Sequence, residues 1–128
     1  MSTRLQTKMT KLSPAETEIL ALVWELGQGT VQEVYEKMSV KRSVAYTTIQ
    51  TLLRRLEKKG YLKHRSQGKA HQYYASVKKD VVVSRAVNDF VNRLFGGDPV
   101  PLLLHMAEKG NISPEDLEKL KELVSKTN

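Results

Sequence analysis

The chain contains no cysteine. That absence excludes a disulfide scaffold, a thiolate zinc site, an iron–sulfur cluster and a thiol nucleophile. No apolar run approaches the ~20 residues that a membrane-spanning helix requires. Met1 to Lys11 is polar, without the apolar core of a signal peptide. A soluble, cytoplasmic protein with no membrane insertion is expected. Catalytic signatures are missing as well. No serine stands in a triad-like pattern with His and Asp, and no glycine-rich loop follows a strand to cradle a nucleotide. Neither an enzyme nor a cofactor is expected, and low-complexity segments are absent.

What the chain does have is an excess of positive charge. It has 128 residues with 21 Lys plus Arg against 14 Asp plus Glu, a formal net charge of +7 and a pI near 9.7. The length allows one ordinary domain, or a small domain plus an appendage. The excess is local. Lys41, Arg42, Arg54, Arg55, Lys58, Lys59, Lys63, Arg65 and Lys69 lie between Lys41 and His71, where Glu57 is the single acid. The flanking segments are near neutral. A charge run of this kind is either a solvated face or the footprint of a polyanion.

Periodicity decides between these. Ser13-Pro14-Ala15-Glu16 is a helix start with a capping box, and Ile19 to Trp24 with Leu26 forms a largely buried helix that Gly27 and Gly29 end. Thr30-Val31-Gln32-Glu33 opens a second helix with Val34, Tyr35 and Met38 on its apolar side, stopping near Ser39. Ser43 is expected to cap a third helix from Val44 to Lys59, with Gly60 as its stop. Ala45, Ile49, Leu52, Leu53 and Leu56 form one core-facing stripe. Thr47, Thr48, Thr51, Arg54, Arg55 and Lys58 form a second face, hydroxyls early and cations late, with no acid. Tyr61 to Arg65 and Ala70 to Ala75 alternate as strands around a Ser66-Gln67-Gly68-Lys69 turn.

Three helices followed by a hairpin is the order of a winged helix-turn-helix. The expected fold is therefore mostly α with a small β-hairpin. Residues 1–11 form a loose arm, 12–78 the DNA-binding domain and 79–128 a helical dimerisation domain. The third helix enters the major groove of double-stranded DNA, where base edges present distinct donors and acceptors. Lys63, Arg65 and Lys69 on the wing meet the neighbouring backbone or minor groove.

Three further helices are expected over Val81 to Phe95, Val100 to Glu108 and from Ser113 onward. Their apolar residues, among them Val87, Phe90, Val91, Leu94, Phe95, Leu103, Leu117, Leu120 and Val124, exceed what such short helices bury alone. Self-pairing into a two-fold dimer is the economical expectation, placing two recognition helices on two half-sites of a near-palindromic operator. Packing of these helices on their own wing domain is the alternative.

Single residues read more plainly. Trp24 belongs to the core. His64 and His71 come near each other across the hairpin and, without a carboxylate or thiolate partner, make a poor zinc site; no metal is expected. They face solvent or touch phosphate. Tyr73 and Tyr74 alternate, so at most one faces the core. A winged helix that binds protein or RNA would carry acids or apolar residues on its exposed face, and this face has neither.

Leu12 to Trp24 (LSPAETEILALVW), Ala45 to Leu62 (AYTTIQTLLRRLEKKGYL), Gly68 to Ala75 (GKAHQYYA) and Phe90 to Gly97 (FVNRLFGG) resemble the penicillinase-repressor family of the BlaI/MecI type. The resemblance runs over nearly the whole chain from Leu12. It implies a homodimeric transcriptional repressor whose Thr47, Thr48, Thr51 and Arg55 meet a pseudo-palindromic operator. In the β-lactam-responsive branch, a membrane sensor metalloprotease leads to cleavage in the dimerisation domain. The corresponding bond here is His105–Met106, where that branch has Asn-Phe. Copper-responsive relatives carry a C-terminal cysteine cluster, which this chain lacks.

Overall fold

Two capping boxes set the start of the fold. In a computed structural model that describes residues 11–127, helix α1 spans Pro14–Leu26. The Ser13 hydroxyl accepts from Glu16 N at 3.1 Å, and Ser13 N donates back to Glu16 Oε1 at 2.8 Å. Gly27, with φ at +81°, ends the helix, its N–H reaching Val23 O at 2.8 Å. Thr30 and Glu33 repeat the reciprocal pair at the start of α2, Val31–Lys41. This helix runs two residues past Ser39, whose hydroxyl donates to Tyr35 O at 2.8 Å.

Helix α3 covers Tyr46–Lys58. Its start corrects two expectations. Ser43 does not cap it; extended Ala45 occupies that position, with no side-chain cap. Ala45 therefore lies outside the helical period and is exposed, not part of the core stripe. The stripe itself, Ile49, Leu52, Leu53 and Leu56, is buried.

A short strand, β1 (Gln28–Thr30), was not expected. It pairs antiparallel with β3 (Ala70–Ala75), which pairs antiparallel with β2 (Leu62–Gln67), giving the order β1-β3-β2. The strands of the hairpin extend to Gln67 and Ala70, so the turn tightens to Gly68-Lys69. Gly68 holds φ at +63°, as the first position of a two-residue hairpin loop favours.

The described chain divides into two compact units, with the division between Val82 and Val83. It falls inside α4, Lys79–Phe95. The first unit holds the core: Ile19, Leu22 and Val23 from α1, Val34 and Met38 from α2, the α3 stripe, Leu62, Tyr73 and Val82. Each fully buried aliphatic side chain contributes about 1.5–3 kcal/mol. Trp24 packs partly buried against this core, and its Nε1 is buried without an acceptor.

The second unit continues α4 and adds α5, Val100–Glu108, and α6, Pro114–Thr127. Asp98 Oδ1 accepts from Val100 N at the start of α5, and Ser113 and Asp116 exchange two 3.1 Å hydrogen bonds at the start of α6. No described helix is long and apolar enough to cross a membrane.

Candidate nucleic-acid interface

The core stripe of α3 dictates what its other side presents. With Ile49, Leu52, Leu53 and Leu56 turned inward, Thr47, Thr48, Thr51, Arg54, Arg55 and Lys58 are all exposed. The Thr51 hydroxyl donates to Thr47 O at 2.9 Å, so toward a ligand it offers its lone pairs and methyl group. Tyr46 is 39% exposed at the start of the helix and packs edge-on against Tyr35, with ring centroids 5.5 Å apart. Tyr46 and Gln50 escaped the sequence reading, although steps of four lead from them to Arg54.

The basic residues separate into two groups. Lys37 pairs with Glu25, Arg42 with Glu18 and Lys59 with Glu16, at 2.7, 2.6 and 2.6 Å. Arg42 and Lys59, two of the cations in the basic segment, thus serve the fold. Among the described residues, no ion pair engages Arg54, Arg55, Lys58, Lys63, Arg65 or Lys69. Arg65 lies over the Tyr74 ring at 4.4 Å, which steadies its guanidinium without neutralising it. All three wing cations are exposed.

Buried polar links fix this surface. Glu16 is 2% exposed and holds together the start of α1 and the end of α3, because Lys59 Nζ also donates to Lys11 O at 3.0 Å. Burial disfavours the Glu16 carboxylate. The Lys59 ammonium and the Ser13 backbone and hydroxyl donors outweigh that, and the carboxyl is held below its ordinary range. Tyr73 is the core-facing member of the tyrosine pair. Burial, and then the Glu57 charge, push its hydroxyl above the ordinary tyrosine range, so it stays protonated.

Glu57 also corrects the histidine reading. Its two oxygens lie 2.8 and 2.7 Å from His64 Nδ1, so His64 does have a carboxylate partner. His71 is exposed and stacks on His64, centroids 4.1 Å apart and rings 11° from parallel. Nitrogen lone pairs lie in the ring planes, and stacked rings do not converge them on one ion. Among the described residues, no group of three His, Cys, Asp or Glu is arranged to hold a metal.

In the second unit, Val87, Phe90, Leu94, Leu103, Leu117, Leu120 and Val124 are exposed, and Phe95 is half-buried. Val91 is buried within the single chain and is absent from this exposed face. Leu103, Leu117, Leu120 and Val124 line one apolar groove between α5 and α6. His105 is exposed and Met106 half-buried, both inside α5.

Comparison with known proteins agrees with this geometry. The family described as penicillinase repressor matches residues 12–126. The methicillin resistance regulatory protein MecI of Mammaliicoccus sciuri is 27% identical over 95% of this chain and 99% of its own. The penicillinase repressor of Bacillus licheniformis is 27% identical over 91% of each chain. Among solved structures, the Bacillus licheniformis BlaI monomeric form in complex with the blaP half-operator is 30% identical with a TM-score of 0.50. That match covers 56% of this chain and 88% of the other. With its three helices, its wing and a family match over almost its whole length, the chain belongs to the penicillinase repressor family.

Proposed function

We propose that this protein is a DNA-binding transcriptional repressor, not an enzyme, that acts in the cytoplasm as a homodimer on a pseudo-palindromic operator. One observation carries the reading. On α3 and the wing, exposed hydroxyls lie with six cations, Arg54, Arg55, Lys58, Lys63, Arg65 and Lys69, that no described carboxylate pairs, and Glu57, the one acid of these elements, is engaged by His64. Threonines at the start of a recognition helix suit base edges and phosphates, and the wing cations suit the flanking backbone. The relatives' names support a role in β-lactam resistance.

The exposed apolar residues of α4 to α6 support self-association, since large exposed apolar side chains in such number mark interfaces. Sedimentation at micromolar concentration should give twice the chain mass, and a monomer would refute the dimer. A membrane sensor protease acting upstream would lead to cleavage at His105–Met106 and so release the operator. That bond lies within a helix, so cleavage requires α5 to unwind locally. Fluorescence anisotropy with the chain's own upstream region tests the repressor reading. Tight binding that falls steeply with salt, beside much weaker binding to random duplex, supports it. Equal binding to both duplexes with a shallow salt slope would refute it.

A further inference from the structure

A cavity of about 300 Å³ lies beside the reading face of α3. It is bounded by the start of α2, by Tyr46, Gln50 and Arg54 on α3, and by Lys69 and His71 on the wing. Two of these side chains are cations, a third gains a positive charge on protonation, and no carboxylate lines the space. The two acids nearest in sequence are already engaged. Glu57 accepts from His64 Nδ1, and Glu33 Oε1 accepts from Thr30 N at 2.8 Å. Arg54 and Lys69 lack any ion-pair partner among the described residues. His71 is held in place by stacking on His64.

We propose that this cleft seats a phosphate group, with Arg54, Lys69 and His71 as its ligands. Donors approach from a helix and from a hairpin, on different sides of one volume. A tetrahedral phosphate offers oxygens in several directions, whereas a carboxylate offers two in one plane. A guanidinium meets two such oxygens at once. The Gln50 amide supplies a further neutral donor. The phosphate comes from one of two sources, the operator backbone or a free phosphomonoester. A free ligand would occupy Arg54 and Lys69, two cations of the DNA-facing surface, and would compete with the operator. The backbone source rests on the repressor reading; the free source does not.

The test uses the full chain and an Arg54→Gln, Lys69→Gln variant, both changes being on exposed side chains. In the first arm, single uncharged methylphosphonates are walked along an operator duplex. If the backbone fills the cleft, one position per half-site lowers native affinity about tenfold, the size of a hydrogen bond to a charged group. The variant is indifferent at that position. In the second arm, inorganic phosphate is titrated without DNA against chloride of equal ionic strength, and backbone amide NMR shifts are followed. Saturable shifts at Gln50 and Lys69 to His71, lost in the variant, identify a free anion. Either positive arm supports the proposal. Equal phosphonate sensitivity of native and variant protein at every position, together with no saturable shifts, overturns it. If native protein fails to distinguish operator from random duplex, the repressor reading fails, and the inorganic phosphate arm alone decides the cleft.

Discussion

The buried pair between Glu16 and Lys59 gives the most quantitative test of how the reading face is held. Their 2.6 Å contact joins residues 43 positions apart and fastens the end of α3 to the start of α1. Glu16 is 2% exposed, whereas Lys59 is 29% exposed. Breaking a fully buried pair costs about 3–5 kcal/mol, mostly from the stranded charge. Here the cost is lower. After Lys59→Met, the carboxylate keeps its Ser13 donors, and after Glu16→Gln, the ammonium reaches water. Each single change should therefore cost about 2 kcal/mol, with a coupling of about 1.5 kcal/mol between them. Urea denaturation, read by emission of the single tryptophan, Trp24, in α1, measures both. The pH dependence has a definite sign. The folded carboxyl titrates below the ordinary carboxylate range, so its contribution is present above that range and is lost as pH falls through the folded value. The gap between native protein and Glu16→Gln should shrink from pH 5 to pH 3. Strictly additive single effects, or a gap that stays constant with pH, would refute the reasoning.

Three other changes probe the surface and the wing. Thr48→Ala should lower operator affinity about five-fold while leaving random-duplex binding nearly unchanged, as anisotropy with both duplexes would show; Thr51→Ala should do less, because its hydroxyl already donates to Thr47 O. Lys63→Gln should weaken binding to both duplexes alike and reduce the slope of log affinity against log salt by about one. Gly68→Ala adds a Cβ that meets nothing within 4 Å, yet φ is +63° there. Its cost should therefore be the backbone penalty alone, about 1–2 kcal/mol in thermal or urea unfolding.

Much of the fold was legible because its signals are local. Both capping boxes, the apolar stripe of α3 and the glycine at the wing tip act within a few residues of themselves. What escaped was non-local or too short. Strand β1 has three residues, one of them the buried Gly29, and its only reason to be extended is the edge of β3. Ser43 carries a capping side chain, but α3 begins after it, at Tyr46. The Glu16–Lys59 and Glu57–His64 pairs join different elements, so no spacing rule foretells them. On the candidate site, the hydroxyl and cation face followed directly from helical period. The division of cations into paired and unpaired groups did not, because it depends on where Glu16 and Glu18 come to lie. The apolar faces of α4 to α6 were equally plain in sequence, whereas the burial of Val91 among them was not.

The proposed function has α3 and the wing reading DNA sequence as a two-fold pair. Selection of bound duplexes from a randomised library tests it most directly. An enriched inverted repeat is expected, with half-site centres about 10 base pairs, or a multiple of that, apart. Exchanging Thr48 for Ala should then relax the preference at one position of each half-site. Recovery of duplexes with no common sequence, or of a single unrepeated half-site from the full chain, would contradict it.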